Sequence, residues 1–83
     1  MSNQHASVAH ASVVIDGDKL RRTRKAAGLT ITQLAARLGI SIGYLSQIER
    51  GTRRTVPPAR YNQICAALDI ADRDHLDMQA AAA

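Results

Sequence analysis

Residues 30–51, TITQLAARLGISIGYLSQIERG, decide the fold. They read as two short amphipathic helices joined by a glycine-centred turn. Thr30 followed three residues later by Gln33 is a capping box: the hydroxyl accepts the Gln33 amide, and the Gln33 side chain reaches back. Leu34, Ala35 and Leu38 form the buried face of this helix. Gly39 ends it where a positive φ is needed. Ser41 caps the next helix. Leu45 and Ile48 face inward, with Tyr44 at the edge of that face. Gly43, Ser46, Gln47 and Arg50 fall at i, i+3, i+4 and i+7, so they make a single outward stripe. Gly51 stops the helix. The small Ala35 lets the two helices approach closely.

Working outward, a first helix is expected over about residues 16–27. Asp16 and Asp18 suit its positive N-terminal end. Leu20 and Ala27 lie about two turns apart, with Thr23 and Arg24 between them on the same face. Gly28 suits a left-handed stop. Residues 52–58, TRRTVPP, form a loop whose prolines lead into a fourth helix. Tyr61, Ile64, Cys65 and Leu68 give that helix a full buried face. Asp72 is expected to cap a short fifth helix containing Leu76 and Met78. Residues 1–14 show no sustained period and read as a flexible arm; 79–83 read as a frayed tail. The domain between them spans 15–78. The expected class is all-α: a compact bundle of four to five short helices.

The chain has 83 residues, one domain at most. With two Tyr and no Phe or Trp, its core must be built from Leu, Ile, Val and Ala. One cysteine, Cys65, excludes an intrachain disulfide, and the Cys/His spacing fits no zinc site. No apolar run approaches a membrane span, and the N-terminus lacks the pattern of a signal peptide. A reducing cytoplasm is the expected setting. His5 and His10 read as solvated, Cys65 as a small core residue. No nucleophile with a paired base, phosphate loop or metal set is apparent, so neither an enzyme nor a cofactor is expected.

Charge is unevenly distributed. Residues 19–60 hold ten of the eleven basic residues and one acid, Glu49, for a net +9. Residues 1–18 carry −2 and residues 61–83 carry −3. A basic block between acidic ends points to a polyanion partner, or to no more than a solvated basic surface.

Residues 16 to about 70 resemble the Cro/phage-repressor (Xre) type of helix-turn-helix domain. The matching residues are Ala35 where the helices cross, Gly39 in the turn, Ile40 after it, and Leu45 and Ile48 toward the core. The flanks match as well: RKAAGLT before the motif, then IERG, then a fourth helix ending in AALDI. The resemblance implies a lambda-repressor-like fold, double-stranded DNA as the partner, and the helix at 41–50 in the major groove.

Gln47 is the best candidate base reader, because its amide can pair bidentately with an adenine edge. Ile42 and Gly43 stand where relatives often carry Gln, Arg or Ser. Ile42 offers apolar contact, as to a thymine methyl, and Gly43 offers close approach of backbone. Ser46 is a weaker candidate at the edge of the stripe. Direct readout is therefore expected to be thin, with DNA shape carrying part of the specificity. Expected phosphate contacts are Thr32, Gln33, Ser41, Tyr44, Arg50, Thr52, Arg53 and Arg54. Relatives commonly carry Gln at the position of Ile31, so Thr32 and backbone amides would substitute for that contact. Gln33 has a competing role in the cap. The resemblance also implies that Arg24 pairs with Glu49 in a partly buried structural salt bridge.

The function so implied is a sequence-specific transcriptional regulator: a repressor that binds a near-palindromic operator as a homodimer through helices four and five. Phage or plasmid repressor, restriction–modification controller and antitoxin all fit. A protein-interaction module whose DNA binding is only autoregulatory is the alternative. No membrane and no small-molecule effector are expected as partners.

Overall fold

The computed structural model describes residues 12–78. Four helices carry the described residues: α1 (Gly17–Ala26), α2 (Ile31–Leu38), α3 (Ile42–Glu49) and α4 (Pro58–Ala67). Two short strands, β1 (Val13–Val14) and β2 (Thr55–Val56), pair antiparallel, with Val13 opposite Val56 and Val14 opposite Thr55.

Each helix starts and stops for a local reason. The Asp16 side chain accepts the Lys19 amide at 3.0 Å to open α1, and Gly28, at φ +76°, follows its end. The α2 capping box is complete: the Gln33 amide donates to Thr30 Oγ1 at 3.1 Å, and the Thr30 amide to Gln33 Oε1 at 2.9 Å. Gly39 closes α2 at φ 68°. The Ser41 hydroxyl accepts the Tyr44 amide at 3.0 Å to begin α3. Pro58 opens α4, where its missing N–H costs nothing.

The inward faces meet in one core. Leu20, Leu34, Leu45, Ile48, Val56, Ile64, Cys65 and Leu76 are fully enclosed. Cys65 is thus a core residue, as its place on α4 suggested. Ala27 is the exception on α1. It is exposed at the C-cap of the helix.

Two expectations at the ends are corrected. Val13 and Val14 do not belong to a free arm. They pair with β2, and the Ile15 amide donates to the Arg54 carbonyl at 3.0 Å. Residues 1–11 of the expected arm, and the expected tail at 79–83, lie outside the described residues. Nor do residues 72–77 form a fifth helix. Asp72 caps a turn instead, its side chain accepting the Asp74 amide at 3.0 Å. Asp77 then bridges to Ile15, and the Asp16 amide donates to the Leu76 carbonyl at 2.8 Å. Two-residue strands carry no readable alternation, so this ribbon leaves no pattern in the sequence.

Tyr61 of α4 holds the turn in place. Its hydroxyl donates to the Arg73 carbonyl and accepts the Leu76 amide at 3.3 Å. Burial, the larger cause, and the neighbouring Cys65 push the phenol up to about 12. In the unfolded chain a phenol ionises near pH 10. Tyr61 thus adds stability that is complete below about pH 10 and is lost as pH rises towards about 12. Thermal melts between pH 8 and 12 should show this loss. The Tyr61→Phe variant, less stable at pH 8, should show a shallower decline.

Candidate nucleic-acid interface

α3 is gripped from its inner side. Leu45 and Ile48 are completely buried. At its C-terminal end Glu49 meets Arg24 of α1 in a two-pronged ion pair. Arg24 Nε donates to Oε2 at 2.7 Å and Nη2 to Oε1 at 3.0 Å. Arg24 Nη1 also donates to the Leu29 carbonyl at 2.9 Å. One guanidinium therefore ties α1, the turn before α2 and the end of α3 together. Its hydrogen bond to Glu49 raises the Arg24 pKa, outweighing the opposing cost of burial. The Arg24–Glu49 pair is thus present, and more buried than expected: both residues are under a tenth exposed.

Gly17, the first residue of α1, makes the same junction from the other side. A Cβ there would lie 2.1 Å from the Ile48 carbonyl oxygen and 2.8 Å from that of Glu49. The start of α1 thus rests directly on the last carbonyls of α3. Nothing in the sequence marks this glycine, because a Gly after an Asp cap looks like an ordinary helix start.

The outer face of α3 carries the expected stripe, with differences in exposure. Ile42 is 47% exposed, a large apolar side chain facing solvent. Gly43 and Arg50 are exposed, while Ser46 and Gln47 are half-buried. Ser46 lines a shallow depression with Asp18, Arg21, Ile31 and Arg50, and the Arg24–Glu49 pair also lines it. Arg21 belongs to the basic block, but nothing in the sequence placed it beside Ser46. A Cβ on Gly43 would meet nothing within 4 Å. Its backbone is helical, so neither space nor torsion calls for glycine there.

The expected phosphate contacts sit around this face. Thr32 and Gln33 are exposed on the first turn of α2. The Gln33 carbonyl oxygen is used in the cap, which leaves its amide hydrogens to donate outward. The Ser41 oxygen accepts the Tyr44 amide, and its own hydrogen can point outward. Thr52, Arg53 and Arg54 are exposed in the loop after α3. The Arg53 amide donates to the Gln47 carbonyl at 3.0 Å, which fixes the loop to α3. The Arg53 guanidinium lies 4.9 Å from the centre of the Tyr44 ring, within cation–π range. Arg60 of α4, absent from the expected set, lies 5.9 Å from the same ring. It also donates to the Leu38 carbonyl at 3.3 Å. Tyr44 is thus a half-buried platform that gathers two cations at the flank of α3.

Among the described residues no group of three or more His, Cys, Asp or Glu is placed to hold a metal ion. No helix among them is long and apolar enough to cross a membrane.

Two short helices joined at a left-handed glycine, the second presenting a polar and basic outer face, define a helix-turn-helix protein. Residues 17–77 match the helix-turn-helix domain family, and the chain belongs to it, in the Cro/phage-repressor branch. It is 43% identical over 54 residues to the HTH-type transcriptional regulator RghRB of Bacillus subtilis strain 168, covering 65% of this chain and 39% of that protein. The chain spans less than half the length of the curated relatives it matches. Among solved structures it is similar to the restriction–modification controller protein C.AhdI from Aeromonas hydrophila. That match has a TM-score of 0.64 and 34% identity, over 71% of this chain and 86% of the other. It is also similar to SinR, the master regulator for biofilm formation, in complex with DNA: TM-score 0.63, 29% identity, over 66% and 87%.

Proposed function

We propose that this chain is a sequence-specific DNA-binding transcriptional regulator, acting as a repressor, with α3 lying in the major groove. The observation that carries this reading is the outer face of α3. Ile42, Gly43 and Arg50 are exposed and Gln47 is half-exposed on a helix whose inner face and C-terminal end are fixed by the core and by Arg24. Regulators similar to this chain, among them the B. subtilis repressor RghR and the DNA-bound SinR, support it.

Labour is divided across the face. Gln47 reads a base edge through its amide, and Ile42 and Gly43 contribute apolar contact and close approach. Ser46, at the edge of the depression, is the weakest of the four. Thr32, Gln33, Ser41, Tyr44, Arg50, Thr52, Arg53 and Arg54 bind phosphate and set register without reading sequence. The repressor acts as a homodimer on a near-palindromic operator with half-sites about 34 Å apart, in a bacterial cytoplasm. α4, together with the acidic segment after it that carries Asp69, Asp72 and Asp74, faces away from DNA and holds the two copies together.

Selection from random duplexes followed by gel shift tests this reading. An enriched, near-palindromic sequence is expected, with affinity falling steeply as salt rises, by about 10³-fold or more between 50 and 200 mM. Equal affinity for enriched and random duplexes would contradict it.

A further inference from the structure

Gly43 is a glycine that the fold does not use. It lies inside a regular helix, its φ is not positive, and a Cβ would enter open space. Gly17, by contrast, is required by contact, and Gly28, Gly39 and Gly51 lie at positive φ. Glycine within a helix lowers stability relative to alanine. Beside Gly43 stands Ile42, exposed and without a polar atom. One turn onward on the same stripe is Gln47, half-buried. Arg50, Arg53 and Arg54 are exposed at and beyond the C-terminal end of the same helix, so the surface that α3 meets is polyanionic.

Resting on the DNA-binding reading above, we infer that Gly43 is a specificity determinant: its missing side chain lets the α3 backbone close onto the groove floor, seating Ile42 and the Gly43 Cα against the C5-methyl of a thymine. Thymine is the base whose major-groove edge carries a methyl group, and Ile42 has no donor or acceptor with which to read any other edge. The bare Cα at 43 sets the depth of docking. An added methyl lifts the helix off the floor, loosens the Ile42 contact and shortens the reach of Gln47. The same methyl, touching nothing in the free protein, strengthens the helix. Stability and specific binding therefore move in opposite directions at this position.

The test uses the whole chain and the duplex enriched by selection. Gly43→Ala should melt about 2–5 °C higher than the parent. It should bind the enriched duplex about 10-fold or more weakly, with affinity for scrambled duplex unchanged. In the parent chain, replacing one particular thymine in each half-site with uracil, which lacks the methyl, should weaken binding about 5-fold or more. That dependence should vanish in Ile42→Ala. A Gly43→Ala variant that binds the enriched duplex as tightly as the parent overturns the inference, as does indifference to uracil at every thymine. If the parent enriches no sequence at all, the DNA-binding reading fails first, and this inference with it.

Discussion

Gly17→Ala is expected to lower the melting temperature by about 10 °C or more, the loss of about 2–4 kcal/mol in a domain of this size. The new Cβ would stand 2.1 Å from one backbone carbonyl oxygen and 2.8 Å from the next, far inside van der Waals contact. Neither carbonyl can easily yield. Both belong to the end of α3, where the Glu49 side chain is held by Arg24 and Ile48 is wholly buried. α1 must lift away instead, taking Leu20 and Arg24 with it. Because α3 is positioned from α1, the damage reaches the outer face as well. Gly28→Ala is the informative comparison. That position is at φ +76° with nothing within 4 Å, so its cost is torsional alone, about 1 kcal/mol. A Gly17→Ala protein that melts with the parent would show that the α1–α3 contact is not as close as described.

Glu49→Ala is expected to cost about 3–5 kcal/mol and to leave the protein partly unfolded at 37 °C. Removing the carboxylate strands the buried Arg24 guanidinium with the Leu29 carbonyl as its remaining acceptor at 2.9 Å. The pair acts more through the penalty for breaking it than through its own net attraction. A double variant, Arg24→Met with Glu49→Leu, should therefore be more stable than Glu49→Ala alone, since no charge is then left buried. Circular dichroism melts of the three proteins decide this. An unchanged melting temperature in Glu49→Ala would contradict it, as would a double variant less stable than the single.

Much of the fold was legible because its signals are local. The Thr30–Gln33 box, the Ser41 cap and the left-handed Gly39 each depend on a few adjacent residues, and all three form as read. The inward faces of α2, α3 and α4 follow from helical spacing. What escaped depends on contacts between distant segments. Val13–Val14 finds β2 across more than forty residues, a pairing too short to leave a pattern. At 72–77 the capping signal of Asp72 is present, and what it caps is a turn. Tyr61 and the bridge from Asp77 to Ile15 draw it out along the ribbon instead.

The site divides along the same line. The stripe of Gly43, Ser46, Gln47 and Arg50 is a matter of periodicity, and the helix carries it. Which members stand free is a matter of packing. Ser46 turns out to border the depression next to Arg21, and Arg53 and Arg60 gather on Tyr44 from a loop and another helix. The Arg24–Glu49 pairing came from family resemblance, since no spacing rule joins residues twenty-five positions apart. Gly17 and Gly43 show the limit most clearly: one glycine is indispensable to packing and the other idle in the fold, and both occur in ordinary helical contexts.

The claim that α3 reads bases through its outer face is tested most directly by the specificity ratio of Gln47→Ala, its affinity for the enriched duplex over that for a scrambled duplex of equal length. The account predicts that the ratio falls about 10-fold or more relative to the parent, while the melting temperature stays within about 2 °C and the salt dependence is unchanged. A Gln47→Ala protein that keeps the parent's ratio would contradict it.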